Sequence, residues 1–278
     1  MKRISVLGPG TFSEESAQHF LGAVPHELLP CKLIADVFQA VVSGRADLGV
    51  IPIENTLEGS VSHHLDWLVH EVDLPIQAEW VYPITMNLIG RAGPLEGIRE
   101  VLSHPVALGQ CREFLRTRLP HAEGVPVGST SEGVRQVREL ASESGLAAIG
   151  SAASAALYGL DVLVGHIEDH PDNATRFVLV GPEPLVLPRP GRSKTSLLVT
   201  LPADFPGALH QVLSVFARKQ VNLVRIESRP TRKRLGNYFF FIDVDSSLSA
   251  QPLPEALAEL DSLGCSVRVL GSYLSHGV

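Results

Sequence analysis

The chain has 278 residues, 45% of them hydrophobic and 19% charged, and a formal net charge of −7. That length supports a large core and about two domains, and an acidic chain without a long Lys/Arg run argues against a nucleic-acid-binding surface. Cys31, Cys111 and Cys265 are scattered and fit no metal-ligand spacing, so they read as reduced thiols of a cytoplasmic protein, with no metal site.

The first residues lead straight into a strand-like run, which is not the pattern of a signal peptide. No segment is apolar and long enough to cross a membrane. Residues 4–7 read as a short buried strand. Gly8-Pro9-Gly10-Thr11 then turns, and Ser13-Glu14-Glu15 opens a helix to about Phe20. This order suits anions, because the first amides of a helix have no partner inside it and carry partial positive charge. It is not a dinucleotide fingerprint, since the G-x-G-x-x-G spacing fails. A helix at 34–42 and a buried strand at 47–53 follow. The strand empties into Glu54-Asn55-Thr56-Leu57-Glu58-Gly59-Ser60, after which Val61, Leu65, Leu68, Val69 and Val72 keep helical spacing.

From about Leu74 the pattern changes to strands, at 76–80 and 84–89. A short strand at 101–102 ends in Ser103-His104-Pro105, and 107–119 reads as one helix with Gln110 and Cys111 inside it. The hydroxyls of Ser129, Thr130 and Ser131 cap a helix through Val134, Val137 and Leu140. A strand at 146–149, a helix opened by Gly150-Ser151 and closed by Gly159, and a strand at 162–164 complete this part. His63, His64 and His104 stand in no ligand set and read as surface or structural residues.

A polar loop then reaches Asn173-Ala174-Thr175-Arg176-Phe177, followed by the apolar run 178–180. Arg176 has the fork to grip a carboxylate and Thr175 has a hydroxyl to donate. A turn with an ordinary surface arginine is the competing reading of these five residues. The glycosylation pattern at Asn173 lacks any secretory context.

Strand ends feed helix starts at 8–13, 54–60, 103–106, 129–131 and 150–151. In open α/β sheets the ligand lies beyond the carboxyl ends of the strands, so these junctions suit a small organic anion in a cleft between two lobes. A Pro-rich seam at 181–192 separates this part from a βαββαβ unit, the ferredoxin-like plan. In that unit Arg232-Lys233-Arg234 reads as a solvated hairpin tip.

Taken in order, these motifs resemble the prephenate dehydratases that carry a C-terminal ACT domain. The likeness rests on Gly8-Pro9-Gly10-Thr11-Phe12-Ser13, Pro52-Ile53-Glu54-Asn55-Thr56, Ser103-His104-Pro105 with Gln110-Cys111, and Ser129-Thr130-Ser131. It continues through Ala147-Ala148-Ile149, Tyr158-Gly159-Leu160, Asn173 to Phe177, Gly207-Ala208-Leu209 and Glu227-Ser228-Arg229-Pro230. Two features depart from the family pattern: the first glycine turn is one residue shorter, and Val106 stands where Gln is frequent.

The resemblance implies an α/β fold: a two-lobed, periplasmic-binding-protein-like catalytic domain plus a ferredoxin-like ACT domain. It divides the chain into a catalytic domain at 1–182 (lobes of about 1–75 with 160–182, and 76–159) and a regulatory domain at 193–278. It implies a cofactor-free conversion of prephenate to phenylpyruvate, water and carbon dioxide. It also implies L-phenylalanine as effector, and a homodimer or homotetramer.

For that chemistry Thr175 is the expected donor to the leaving hydroxyl. Asn55, Thr130, Ser131, Ser13, Arg176, Phe177 and Glu54 are the expected substrate neighbours, with an ion pair from Arg176 to Glu54 or Glu58 as the alternative. Gly207, Ala208, Leu209, Glu227, Ser228, Arg229 and Pro230 are the expected effector site, with a subunit interface as the alternative. Arogenate dehydratase and a non-catalytic amino-acid sensor are the rival functions.

Overall fold

The computed structural model describes residues 1–140, 145–185, 187–232 and 238–277. The chain opens with β1 (Lys2–Leu7), α1 (Phe12–Leu21), β2 (His26–Cys31), α2 (Ile34–Val42), β3 (Leu48–Asn55), β4 (Gly59–Ser60) and α3 (Ser62–Asp66). It continues with β5 (Ile76–Pro83), β6 (Asn87–Gly90), β7 (Glu100–Ser103), α4 (Pro105–Gln110), α5 (Arg112–Arg118), β8 (Glu123–Pro126), α6 (Thr130–Glu139), β9 (Leu146–Gly150), α7 (Ala152–Tyr158), β10 (Asp161–Val164) and β11 (Ala174–Val180). It closes with β12 (Arg192–Thr200), α8 (Ala208–Arg218), β13 (Leu223–Pro230), β14 (Tyr238–Val244), α9 (Leu253–Ser262) and β15 (Ser266–His276). Contacts divide it into one compact unit of 1–71 with 81–177 and another of 72–80 with 178–277.

The first unit has two sheets, one to a lobe, and β10, expected with 160–182 in the first lobe, pairs with β6 in the sheet of the second. In one, β1 lies between β2 and β3, all parallel, and β4 folds back on the end of β3. The run from Leu48 to Ile53 is apolar at almost every position because both faces of a parallel sheet are covered. Here α2 packs on β1 and β3, with Val37 and Val41 beside Ser5 and Gly49, and Ile4, Val6, Val37, Phe38, Val41, Val50 and Ile51 are all buried. Each such side chain contributes roughly 1.5–3 kcal/mol by leaving water. The second lobe is a five-stranded sheet in the order β10-β6-β9-β7-β8. Its β7, β8 and β9 are parallel, and β6 is antiparallel to β9 and β10.

The second unit has the expected βαββαβ order, and the sheet β13-β14-β12-β15 is antiparallel. Its core sets Val212, Val215 and Phe216 of α8 and Leu253, Ala256 and Leu260 of α9 against Leu197, Val199, Ile242 and Val244. A further strand joins this sheet: Ala78, Glu79 and Trp80 pair in parallel with Leu274, Ser275 and His276. Residues 76–80, expected to open the second lobe, therefore group with the C-terminal unit. The cause is visible at Glu79, buried to 1% exposure, whose carboxylate receives Lys194 Nζ, Tyr273 Oη and Ser275 Oγ. Three donors satisfy a charge that would otherwise be costly to bury. This pairing also carries β15 on to His276, beyond the expected end at Leu270.

Of the strands that sequence reasoning did not anticipate, β2 and β8 are sheet edges, where Pro30 and Pro126 cost no ladder bond. The single helix expected after Ser60 is α3 followed by a π-helical turn over Trp67–Glu71. The helix expected at 107–119 breaks at Cys111, whose φ of −117° and ψ of 21° separate α4 from α5. That break frees the Gln110 carbonyl to accept Asp169 N–H at 2.7 Å. Lys233 and Arg234, placed by sequence at a hairpin tip, lie outside the described residues, and Arg232 just before them has a φ of 58°.

Candidate active site

A cavity of about 490 Å³ opens within the first unit, lined from both lobes. One wall is the start of α1, where Thr11 caps the helix by accepting Glu14 N–H and Phe12 and Ser13 face the cavity. Gly10, at φ 74°, makes the turn into that helix, and its N–H donates to Glu14 Oε2 at 2.6 Å. Across the cavity is the start of α6, where Ser129 accepts Glu132 N–H at 3.0 Å and Gly128, Ser129 and Thr130 face inward. Both helices run for ten residues. Their first-turn amides therefore bring two partly positive ends to one space.

The remaining walls are largely apolar: Leu7, Pro52, Val61, Ile84, Met86, Val106, Ala107 and Phe177. Among the described lining residues only Glu58 and His104 are ionisable, and none is Lys or Arg. An anion held here is held by helix ends, hydroxyls and amides.

The polar floor is Asn55 with Thr175. Asn55 sits at the end of β3, and its Oδ1 accepts Leu57 N–H at 2.9 Å and Glu58 N–H at 3.1 Å. Two backbone donors fix which end of the amide is oxygen. Asn55 Nδ2 consequently donates to Asn173 Oδ1 (2.8 Å), Ala174 O (3.1 Å) and Thr175 Oγ1 (3.0 Å). A hydroxyl that accepts from an amide keeps its own proton to donate. The start of β11 is pinned by Thr56 N–H to Ala174 O (2.9 Å) and Ala174 N–H to Thr56 Oγ1 (3.0 Å).

Of the expected substrate neighbours, Thr175, Asn55, Thr130, Phe177 and Ser13 line this cavity together, whereas Arg176, Glu54 and Ser131 do not. Successive side chains of a strand point to opposite faces, so Thr175 and Phe177 look into the cavity and Arg176 looks away. The Arg176 guanidinium lies 3.2 Å from Glu54 Oε2, the ion pair that sequence reasoning held as the alternative. Ser131 spends its hydroxyl on Pro9 O, which ties the second lobe to the first glycine turn.

Sequence reasoning missed Gln110, which lines the cavity and receives Asn173 Nδ2 on its Oε1 at 3.0 Å. His104, read as structural, is both the cap of Val106 N–H (3.3 Å) and a lining residue. Its place after a strand end was the available signal. His64 is structural as expected: its Nδ1 meets Pro52 O at 2.7 Å, and burial pulls its pKa down. Burial beside Asp169 and Glu168 pushes the Cys111 thiol up to about 12, so it stays protonated.

In the second unit Gly207, at φ 92°, precedes α8, Ala208 is buried, and Leu209 packs on the core. Glu227 lies on edge strand β13 between Arg225 (2.8 Å) and Arg229 (3.6 Å), with Ser228 and Pro230 on the other, exposed face. No helix among the described residues is long and apolar enough to cross a membrane.

The prephenate dehydratase family model matches residues 4–185, and that of the ACT domain matches residues 195–264. The chain is 39% identical to a prephenate dehydratase of Lactococcus lactis subsp. lactis over 99% of both sequences. A crystal structure of prephenate dehydratase from Arthrobacter aurescens in complex with L-Phe is 39% identical, with a TM-score of 0.87 over 98% of this chain and 89% of that one. A structure described as a quorum-quenching acylase is 31% identical, with a TM-score of 0.86 over 99% and 98%.

Proposed function

The chain belongs to the prephenate dehydratase family and carries an ACT domain, and from that premise we propose how its cavity converts prephenate to phenylpyruvate. The observation that carries the reading is a hydroxyl with a free proton, Thr175, at the floor of a cavity that faces two helix N-termini and has no Lys or Arg among its described lining residues. Prephenate is a dianion. Its ring carboxylate must leave as carbon dioxide while the para hydroxyl departs, and one proton converts that hydroxyl to water.

A fixed cation at the ring carboxylate would stabilise the group that has to leave. Helix dipoles and hydroxyls bind it more gently. In the proposed arrangement the amide ends of α1 and α6, with Ser13 and Thr130, hold the two carboxylates. Phe177 and the apolar wall take the ring. Thr175 donates to the leaving oxygen, where charge develops, and Asn55 holds Thr175 in that direction. Glu54 and Arg176 act through their pairing, fixing the strand ends that present Asn55 and Thr175.

The regulatory reading is that L-phenylalanine binds the ACT unit at Gly207-Ala208-Leu209 and the 227–230 segment. Small residues there admit a ligand to the backbone, and Glu227 receives its ammonium. Linked ACT units in a homodimer or homotetramer would let one binding event favour one arrangement over another. Residues 1–182 act as the catalytic domain and 193–278 as the regulatory one, in the cytoplasm. The three buried free cysteines are compatible with a reducing compartment. Among the described residues, no carboxylate or imidazole is bonded to Thr175, so that hydroxyl is not set up as the nucleophile of a hydrolase.

The test is turnover. Purified protein is mixed with prephenate, with and without phenylalanine, and phenylpyruvate is followed by its absorbance in alkali; in parallel it is mixed with arogenate, whose product would be phenylalanine, and that amino acid is followed by chromatography. The proposal requires phenylpyruvate from prephenate and a rate that responds to phenylalanine. Exclusive use of arogenate would overturn the substrate assignment. The absence of any calorimetric binding of phenylalanine would overturn the effector assignment.

A further inference from the structure

Behind the cavity floor lies a chain of amides that the proposed chemistry has not used. Asn173 is 1% exposed and does not line the cavity. Its Oδ1 accepts from Asn55 Nδ2 at 2.8 Å and its Nδ2 donates to Gln110 Oε1 at 3.0 Å. Its own carbonyl receives Ile84 N–H at 2.8 Å, so its backbone is fixed as well. Asn55 belongs to the first lobe, and Gln110, at the end of α4, to the second.

The direction of this chain is set at one end. Leu57 N–H and Glu58 N–H can only donate, so Asn55 must turn its oxygen to them and its nitrogen to Asn173. Asn173 must then meet it with oxygen, which turns the Asn173 nitrogen to Gln110. Gln110 answers with oxygen, which leaves its Nε2 donor for the cavity that it lines. Two backbone amides of the first lobe thereby decide the polarity of a side chain in the second.

The geometry points to Asn173 as a positioning residue that makes Gln110 present a donor to the substrate anion while it holds Asn55 under Thr175. This rests on the dehydratase reading of the cavity. An aspartate at this position has the same shape but only accepts. Asn55 would still donate to it, whereas Gln110 would have to rotate its nitrogen inward and expose its oxygen to a carboxylate. One atom exchanged in a buried side chain would turn a favourable contact in the cavity into a repulsive one.

The experiment is a double-mutant cycle on the full chain with prephenate as the probe, using Asn173→Asp, Gln110→Ala and the pair, with Asn173→Ser run in the same cycle. A packing role or a long-range charge effect would cost the same in either background. The inference predicts that Asn173→Asp lowers kcat/KM by ~100-fold in the wild-type background, the scale of losing one aligned donor. It predicts a loss at least tenfold smaller when Gln110 is already Ala. Additive losses, or an Asn173→Asp variant within threefold of wild type, would overturn it. Should Asn173→Asp not fold, as judged by circular dichroism, Asn173→Ser decides by the same criterion, since it also removes the bond to Gln110. Wild type that does not turn over prephenate would defeat the dehydratase reading itself. Wild type that does, with an additive cycle, would defeat this inference alone.

Discussion

Replacing Thr175 by Val keeps the branched shape and removes one oxygen. The hydroxyl receives Asn55 Nδ2 at 3.0 Å, and that nitrogen retains Asn173 Oδ1 at 2.8 Å and Ala174 O at 3.1 Å as acceptors. The folded state therefore loses one hydrogen bond without leaving a donor stranded, a cost of about 1 kcal/mol. For a domain-sized unit that is a fall in Tm of roughly 2–4 °C. The reaction loses more. A donor aimed at charge that appears only in the transition state is worth about 2.7–4 kcal/mol, so kcat should fall ~100- to 1000-fold with KM nearly unchanged. Thr175→Ser keeps the oxygen and should remain within about tenfold of wild type, the difference reflecting a looser rotamer. Phenylpyruvate absorbance in alkali gives both constants, and a thermal melt run alongside gives the stability. A Val variant with kcat within threefold of wild type and an intact melt would refute the role given to Thr175.

Other consequences follow from the same geometry. Arg176→Lys should lower Tm with KM held within about twofold, because the guanidinium faces Glu54 at 3.2 Å and not the cavity; a KM raised tenfold would return Arg176 to the substrate. Gly10→Ala would place a Cβ 2.8 Å from Ser131 Oγ and 3.1 Å from Ser154 Cβ, at a φ of 74°. It should destabilise by about 1–3 kcal/mol and raise KM, read from denaturant unfolding and initial rates. Burial lowers the His64 pKa below its unfolded value near 6.5, so the unfolded state takes up the proton first. Stability should be unaffected by this group above that pH and should decline as pH falls below it; His64→Gln should flatten that part of the Tm–pH curve.

The sequence was most legible where one local rule acts alone. Gly159 ends α7 in the left-handed conformation, as a glycine after an alanine-rich helix should, and Ser129 and Ser151 cap where hydroxyls precede helical patterns. Edge strands β2 and β8 were hidden because proline and partial exposure erase the alternation that marks a strand. The break at Cys111 was hidden because it goes with a tertiary bond, Asp169 N–H to the Gln110 carbonyl, and no residue within the helix announces it. Strand β5 was misplaced for a related reason, as Glu79 finds its three donors more than a hundred residues away. In the site, Asn55 and Thr175 were legible by type. The outward turn of Arg176 follows from strand alternation, and the strand's register had to be known before that rule could be used.

In the proposed arrangement two opposed helix ends and a hydroxyl, with no Lys or Arg among the described lining residues, hold the dianion for elimination. A crystal structure of the Thr175→Val variant soaked with prephenate tests it most directly, since that variant should bind the substrate and not consume it. One carboxylate is expected at the first-turn amides of α1, the other at those of α6, and the ring hydroxyl beside the substituted side chain at position 175. A carboxylate found on Arg176, with the Glu54 pair broken, would contradict it.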